Sequence, residues 1–260
     1  MCHADAPSTP SPSVVTEEVA IGLPGGEALP ALFAHPPTAS EAGGGLRPAV
    51  LIVHDIYGRT PFYEDLAARL ADAGYHALLP DAFFRQGALE QQSRPAAFAR
   101  RVQLDDLRAL ADYGAAIDWL RARPEVAGPR VGTIGFCMGG TFVLNLAAER
   151  DDLATVCYYG FPSSPRVGGN PGPPPIEQLS SMRGPIVGFW GSDDESVGME
   201  NVASFARGAQ REGLDFEHVV YQGVGHGFLA RALADSEHPG HRHASDSWRR
   251  TLAFYRRHLG

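Results

Sequence analysis

Residues 133–142 read TIGFCMGGTF. An apolar run stops at Gly135, a single cysteine follows in a glycine-rich corner, and apolar character resumes at Thr141, Phe142, Val143 and Leu144. The centre of the stretch is Gly-x-Cys-x-Gly (Gly135, Cys137, Gly139), a strand, tight turn and helix that presents a nucleophile at the corner, with cysteine where serine is usual. A thiol nucleophile needs exposure, a base, and something that favours its thiolate; the corner supplies the first, and the N–H groups at the helix start contribute to the third. Glycines at 135, 139 and 140 let the backbone turn sharply and let the helix approach the strand. By itself the corner leaves two readings of Cys137 open, a catalytic nucleophile or a small buried side chain.

The flanking sequence alternates between short apolar runs and amphipathic stretches, which is the pattern of a parallel sheet with crossover helices. Strands are predicted over 49–53, 76–79, 131–135, 155–159, 186–190 and 216–221, and helices over 63–73, 96–121, 140–150, 199–212 and 245–258. Upstream, VVTEEVAIGL and ALPALFAHP, separated by Gly25 and Gly26, read as a hairpin at a sheet edge. Residues 1–13 are rich in Pro, Ser and Ala and are expected to form a disordered tail, leaving 14–260 as one domain. The stretch FPSSPRVGGNPGPPP, 161–175, carries too much Pro and Gly for a regular element; it reads as a rim loop, either the mouth of a site or a plain surface insertion.

Composition narrows the partners. The 260 residues are 44% hydrophobic and 20% charged, ordinary for a globular enzyme, and the formal charge is −8 with no lysine cluster to grip phosphates. A small-molecule substrate is therefore expected, with no nucleic-acid partner. No segment approaches the roughly 20 apolar residues needed to span a bilayer, so no membrane partner is expected either. Three cysteines (Cys2, Cys137, Cys157) cannot build a disulfide framework, and the N-terminus has no apolar signal segment, so a cytoplasmic location with free thiols is expected. Cys157, in TVCYYG, reads as core.

Partners for Cys137 arrive downstream in the order acid, then histidine, each after a later strand. VGFWGSDDESV is a strand ending in Gly191 and paired aspartates, and VVYQGVGHGF is a strand followed by a histidine between two glycines. His226 is then the expected base and Asp194 the acid that orients it, with Asp193 as the alternative. Asp194 fits because it sits in Gly-x-x-Asp-x-x-Val (Gly191, Asp194, Val197). Acyl transfer also needs donors aimed at a developing oxyanion. The backbone N–H of Met138 is one candidate, and that of Ile56 in HDIYG, after the strand AVLIV, is the second.

Together LIVHDIYG, GYHALLPDAFFRQG, VGTIGFCMGG, FWGSDDESV, GVGHGF and the terminal SDSWRRTLAFYRRHL resemble the dienelactone hydrolase family over nearly the whole chain, from about Val14 to Leu259. The resemblance implies an α/β-hydrolase fold, with a mostly parallel central sheet flanked by helices and no separate cap domain. It implies a Cys137–His226–Asp194 triad that attacks an ester or lactone carbonyl and forms an acyl-enzyme, with neither cofactor nor metal, in a monomer or small homo-oligomer. It also implies that Asp55 stands where the family carries a carboxylate beside the resting thiol, a glutamate there and one methylene longer. Arg85 matches the first of two arginines that hold a substrate carboxylate; the second falls at Ala230, with Arg231 next to it.

Other readings are a broad aryl esterase or promiscuous phosphotriester hydrolase on the same triad, and a hydrolase-like scaffold that binds without turnover. A glutamine amidotransferase would carry an acid two residues after its histidine, where this chain has Phe228. The cluster HPGHRH (His238, His241, His243) reads as a solvated loop in preference to a zinc site.

Overall fold

The structure, a computed structural model, describes residues 14–37, 45–163 and 167–260. The expected tail at 1–13 lies outside the described residues, as does 164–166 of the rim loop. Eight strands form one sheet in the order β1-β2-β4-β3-β5-β6-β7-β8. β1 (Val15–Gly22) and β2 (Ala28–His35) make the edge hairpin, turned through Gly25 and Gly26 at φ of 92° and 87°. β2 also runs antiparallel to β4 (His76–Pro80); all remaining pairings, among β4, β3 (Ala49–Val53), β5 (Val131–Phe136), β6 (Leu153–Tyr158), β7 (Ile186–Gly191) and β8 (Phe216–Tyr221), are parallel.

Burial explains the sequence pattern of these strands. Every residue of β3, β4, β5, β6 and β7 is buried, so they read as continuous apolar runs, whereas the edge strand β8 carries exposed Glu217 and His218. Helices α1 (Pro61–Asp72), α2 (Arg94–Arg101), α3 (Asp106–Arg121), α4 (Met138–Glu149), α5 (Met199–Glu212), α6 (Ala230–Ala234) and α7 (His241–His258) complete the fold, with a 3₁₀ turn at Pro175–Ser181.

The single helix predicted over 96–121 is two. α2 ends at Arg101, and Asp105 starts α3 by accepting the Arg108 N–H at 2.9 Å, an N-cap that opens a new helix. α4 starts at Met138, two residues earlier than predicted, because Cys137 itself makes the turn. The histidine cluster departs from a solvated loop as well: His241 and His243 lie in the first turn of α7, and His238 Nδ1 accepts the Gly240 N–H at 3.0 Å.

The order of strands places the site. The chain leaves β3 toward β4 on one side and returns to β5 on the other, and the crevice at such a reversal, beyond the carboxyl ends of the strands, is where open α/β sheets collect ligands. The loops after β3, β5, β7 and β8 carry Ile56, Cys137, Asp194 and His226 respectively.

Candidate active site

Cys137 follows directly on β5 with φ 56° and ψ −116°, a conformation costly for a residue with a side chain, on the order of 1–3 kcal/mol. The turn is held from both sides: the Cys137 N–H donates to Tyr158 O at 3.0 Å and its carbonyl accepts the Thr141 N–H at 3.2 Å. A Cβ on Gly135 would lie 2.1 Å from Gly139 O, and one on Gly139 would lie 2.1 Å from Val53 O. The elbow therefore packs backbone against backbone, and only hydrogen fits at those two positions. Met138 is the first residue of α4, so its N–H has no intrahelical acceptor and points out of the helix start beside Cys137.

The acid and histidine loops are stitched to each other. Ser192 N–H donates to Tyr221 O at 2.8 Å and Asp193 N–H to Val224 O at 3.1 Å, and a Cβ on Gly191 would lie 2.1 Å from Val224 O. In this frame buried Asp194 accepts the N–H groups of Ser196 and Val197 at Oδ1, each at 3.1 Å, and meets His226 Nδ1 at Oδ2, 2.8 Å away. Asp193 turns elsewhere, accepting the Ser192 hydroxyl at 2.7 Å. A carboxylate only accepts, so Nδ1 carries the proton of that bond and a neutral His226 presents Nε2 as an acceptor. The imidazole contacts two rings, Tyr159 edge-on at 5.1 Å and Phe161 tilted at 5.6 Å. Tyr159 is itself held at φ 39°.

After β3 the loop is equally fixed. Asp55 N–H donates to the Tyr63 hydroxyl at 3.0 Å, Tyr57 N–H to Asp55 Oδ1 at 2.8 Å, Gly58 N–H to Asp55 O at 3.2 Å, and Arg100 Nη2 to Ile56 O at 3.2 Å. Asp55 is fully buried, and one of its carboxylate oxygens serves its own loop.

A cavity of about 450 Å³ opens where these loops meet, and Ile56, Cys137, Met138 and His226 are all on its wall. Aromatic and proline surfaces dominate the rest: Tyr57, Phe98, Phe142, Phe161, and Pro171, Pro173 and Pro174. The described part of the 161–175 stretch thus lines the mouth. Arg94, Arg101, Asp106 and Asn145 supply the polar wall, with Arg101 Nη2 donating to Asp106 Oδ2 at 2.9 Å.

Neither Arg85 nor Arg231 is on that wall. Arg85 donates to Glu27 at 2.8 Å and to Asp112 at 3.1 Å, and these two carboxylates hold its guanidinium protonated well above the ordinary range, Asp112 contributing most. Arg231 is an exposed residue of the short helix α6. Among the described residues no group of three His, Cys, Asp or Glu is placed to hold a metal ion, and no described helix is long and apolar enough to cross a membrane.

Several wall residues escaped the sequence reading. Thr141, Phe142 and Asn145 follow Met138, the expected oxyanion donor, at helical spacing on α4, so one face of the helix behind the cysteine was identifiable once its start was known. Phe98 and Arg101 of α2 were hidden by the reading of one long helix over 96–121, and Arg94 falls just before that predicted start.

Comparison with known proteins agrees with this fold. The sequence profile of the dienelactone hydrolase family matches residues 30–259. A carboxymethylenebutenolidase of Rhodococcus opacus is 35% identical over 264 aligned positions, covering 100% of this chain and 98% of its own. Carboxymethylenebutenolidase 2 of Cupriavidus pinatubonensis is 34% identical, covering 78% and 87%. A solved structure from Klebsiella pneumoniae, described as a dienelactone hydrolase, superimposes with a TM-score of 0.82 at 30% identity, covering 93% and 98%. The chain belongs to the dienelactone hydrolase family, and is a carboxylic ester hydrolase of the α/β-hydrolase fold.

Proposed function

We propose that this cavity hydrolyses carboxylic esters or lactones through an acyl-enzyme on Cys137. One observation carries the reading: the 2.8 Å contact of Asp194 Oδ2 with His226 Nδ1, on a histidine that shares a cavity wall with Cys137. His226 Nε2 takes the thiol proton, and the sulfur attacks the carbonyl carbon. Negative charge then gathers on the carbonyl oxygen, where the N–H groups of Ile56 and Met138 receive it. Collapse of this intermediate breaks the bond to the leaving oxygen, which departs with the proton from His226. Water, deprotonated by the same Nε2, attacks the thioester and releases the acid, returning the proton to sulfur. Asp194 keeps its proton-free carboxylate throughout and stabilises the imidazolium.

The wall selects the acyl group. Phe98, Phe142 and Phe161 favour a flat apolar substrate, and the thioester must partition toward water, which suits activated esters and enol-type leaving groups. A broader aryl esterase is the second reading, favoured by the engagement of Arg85 with Glu27 and Asp112, away from the cavity wall. Both readings share the test: purified protein assayed on neutral aryl esters and on acidic enol lactones, with Cys137→Ala as control and mass spectrometry for the acyl adduct. Turnover at wild-type rate in Cys137→Ala sinks the mechanism; the ratio of the two substrate classes separates the readings.

A further inference from the structure

His54, the last residue before the oxyanion loop, is wholly buried and makes two hydrogen bonds whose donors can be assigned from chemistry alone. Ala82 N–H lies 3.1 Å from its Nε2. A backbone N–H only donates, so Nε2 is bare. A neutral imidazole with a bare Nε2 carries its hydrogen on Nδ1, and Nδ1 lies 2.8 Å from the carbonyl oxygen of Asp55. Burial supports the neutral form, pulling the pKa of His54 down against the opposing pull of Asp81 and Asp55. Phe83 stacks on the ring at 5.5 Å, fixing its plane.

The carbonyl that receives Nδ1–H belongs to the peptide between Asp55 and Ile56. None of the described peptide bonds is cis, and in a trans peptide the N–H points opposite to the C=O. Anchoring Asp55 O toward His54 therefore aims the Ile56 N–H the other way, and Ile56 is on the wall of the cavity that holds Cys137. The neighbouring groups are already committed: Asp55 N–H to Tyr63, Tyr57 N–H to Asp55 Oδ1, and Ile56 O to Arg100. The orientation of this peptide decides whether the cavity meets a donor or a carbonyl lone pair, and Gly58 N–H also donates to Asp55 O, at 3.2 Å.

We infer that His54 is a positioning residue for the oxyanion hole, its Nδ1–H tautomer locking the Asp55–Ile56 peptide so that the Ile56 N–H faces the reacting carbonyl. The inference rests on the acyl-transfer reading above. His54 touches neither substrate nor sulfur; it acts through the peptide.

The test compares His54→Leu with His54→Gln. Leucine removes both the donor and the acceptor, while a glutamine amide offers one of each and can restore the pair. The expected result is a kcat for a neutral aryl ester about 100-fold lower in His54→Leu, the order found for loss of an oxyanion donor, with KM nearly unchanged and substantial recovery in His54→Gln. Alkylation of Cys137 by iodoacetamide is the second readout. In that step sulfur displaces iodide at a saturated carbon and no oxyanion forms, so its rate in His54→Leu stays at the wild-type value. A wild-type kcat in His54→Leu overturns the inference, as does an alkylation rate that falls in step with kcat, which marks general damage to the site. Full turnover in Cys137→Ala overturns the acyl-transfer reading itself and this inference with it.

Discussion

Asp194 faces His226 across 2.8 Å while its neighbour Asp193 is tied to Ser192, although the two aspartates are adjacent in the chain. The difference arises in the turn after β7, where Asp194 Oδ1 accepts the Ser196 and Val197 N–H groups and so leaves Oδ2 directed at the imidazole. Asp194→Asn is accordingly expected to lower kcat by about 10³- to 10⁴-fold, because an amide can stabilise the wrong tautomer and cannot stabilise the imidazolium. Asp193→Asn should leave kcat within about threefold of wild type. Steady-state hydrolysis of one aryl ester by both variants measures the contrast; equal losses would move the acid assignment.

Arg85 and Arg94 should separate stability from specificity. Removing the Arg85 guanidinium strands buried Asp112 without its partner, so Arg85→Ala is expected to lower unfolding free energy by about 1–3 kcal/mol in urea titration. The ratio of kcat/KM for an acidic lactone over a neutral ester should hold within about twofold in this variant. Arg94 is on the cavity wall, and Arg94→Ala should reduce the same ratio by about tenfold. A specificity change confined to Arg85→Ala would return carboxylate recognition to that residue.

The buried histidines predict a fall in stability with acid. Burial depresses the pKa of His54 and, helped by His35, that of His76, so the unfolded chain binds protons near its ordinary value of 6.5 that the folded chain does not. Their contribution is fully present above 6.5 and is lost as pH falls below it toward the depressed folded values. Tm measured from pH 7.5 to 5 should therefore decline, and His54→Gln, which cannot titrate, should flatten the decline relative to its own neutral-pH value. Identical slopes in the two proteins would contradict this.

The two described cysteines should differ sharply in reactivity. Burial pushes the Cys157 thiol up to about 12, and it donates to Gly140 O at 3.4 Å, whereas Cys137 opens onto the cavity at the start of α4. Iodoacetamide at pH 7.5 is expected to label Cys137 in the native protein and Cys157 only after denaturation, as read by peptide mass mapping. Native labelling of Cys157 at a comparable rate would refute the assignment.

Much of the fold was legible because period and punctuation coincide. The buried strands β3 to β7 are short apolar runs, and each crossover helix is bounded by turn residues, so their order could be read without tertiary information. The break between α2 and α3 was not, since Val102, Gln103 and Leu104 interrupt neither helical propensity nor the apolar spacing strongly, and it is the Asp105 cap that ends the matter. The same break puts Phe98 and Arg101 on the cavity wall.

Residue type and spacing already carry the chemistry on offer: a cysteine in a glycine elbow, then an acid and a histidine after later strands, in an order that a parallel sheet can bring to one edge. Those are local properties. Folding settles which aspartate meets His226, that Arg85 is engaged by Glu27 and Asp112, and that His54 Nδ1 meets the carbonyl of Asp55. Each of these depends on directions of hydrogen-bonding groups across loops that are distant in sequence, and direction is fixed only when the chain is packed.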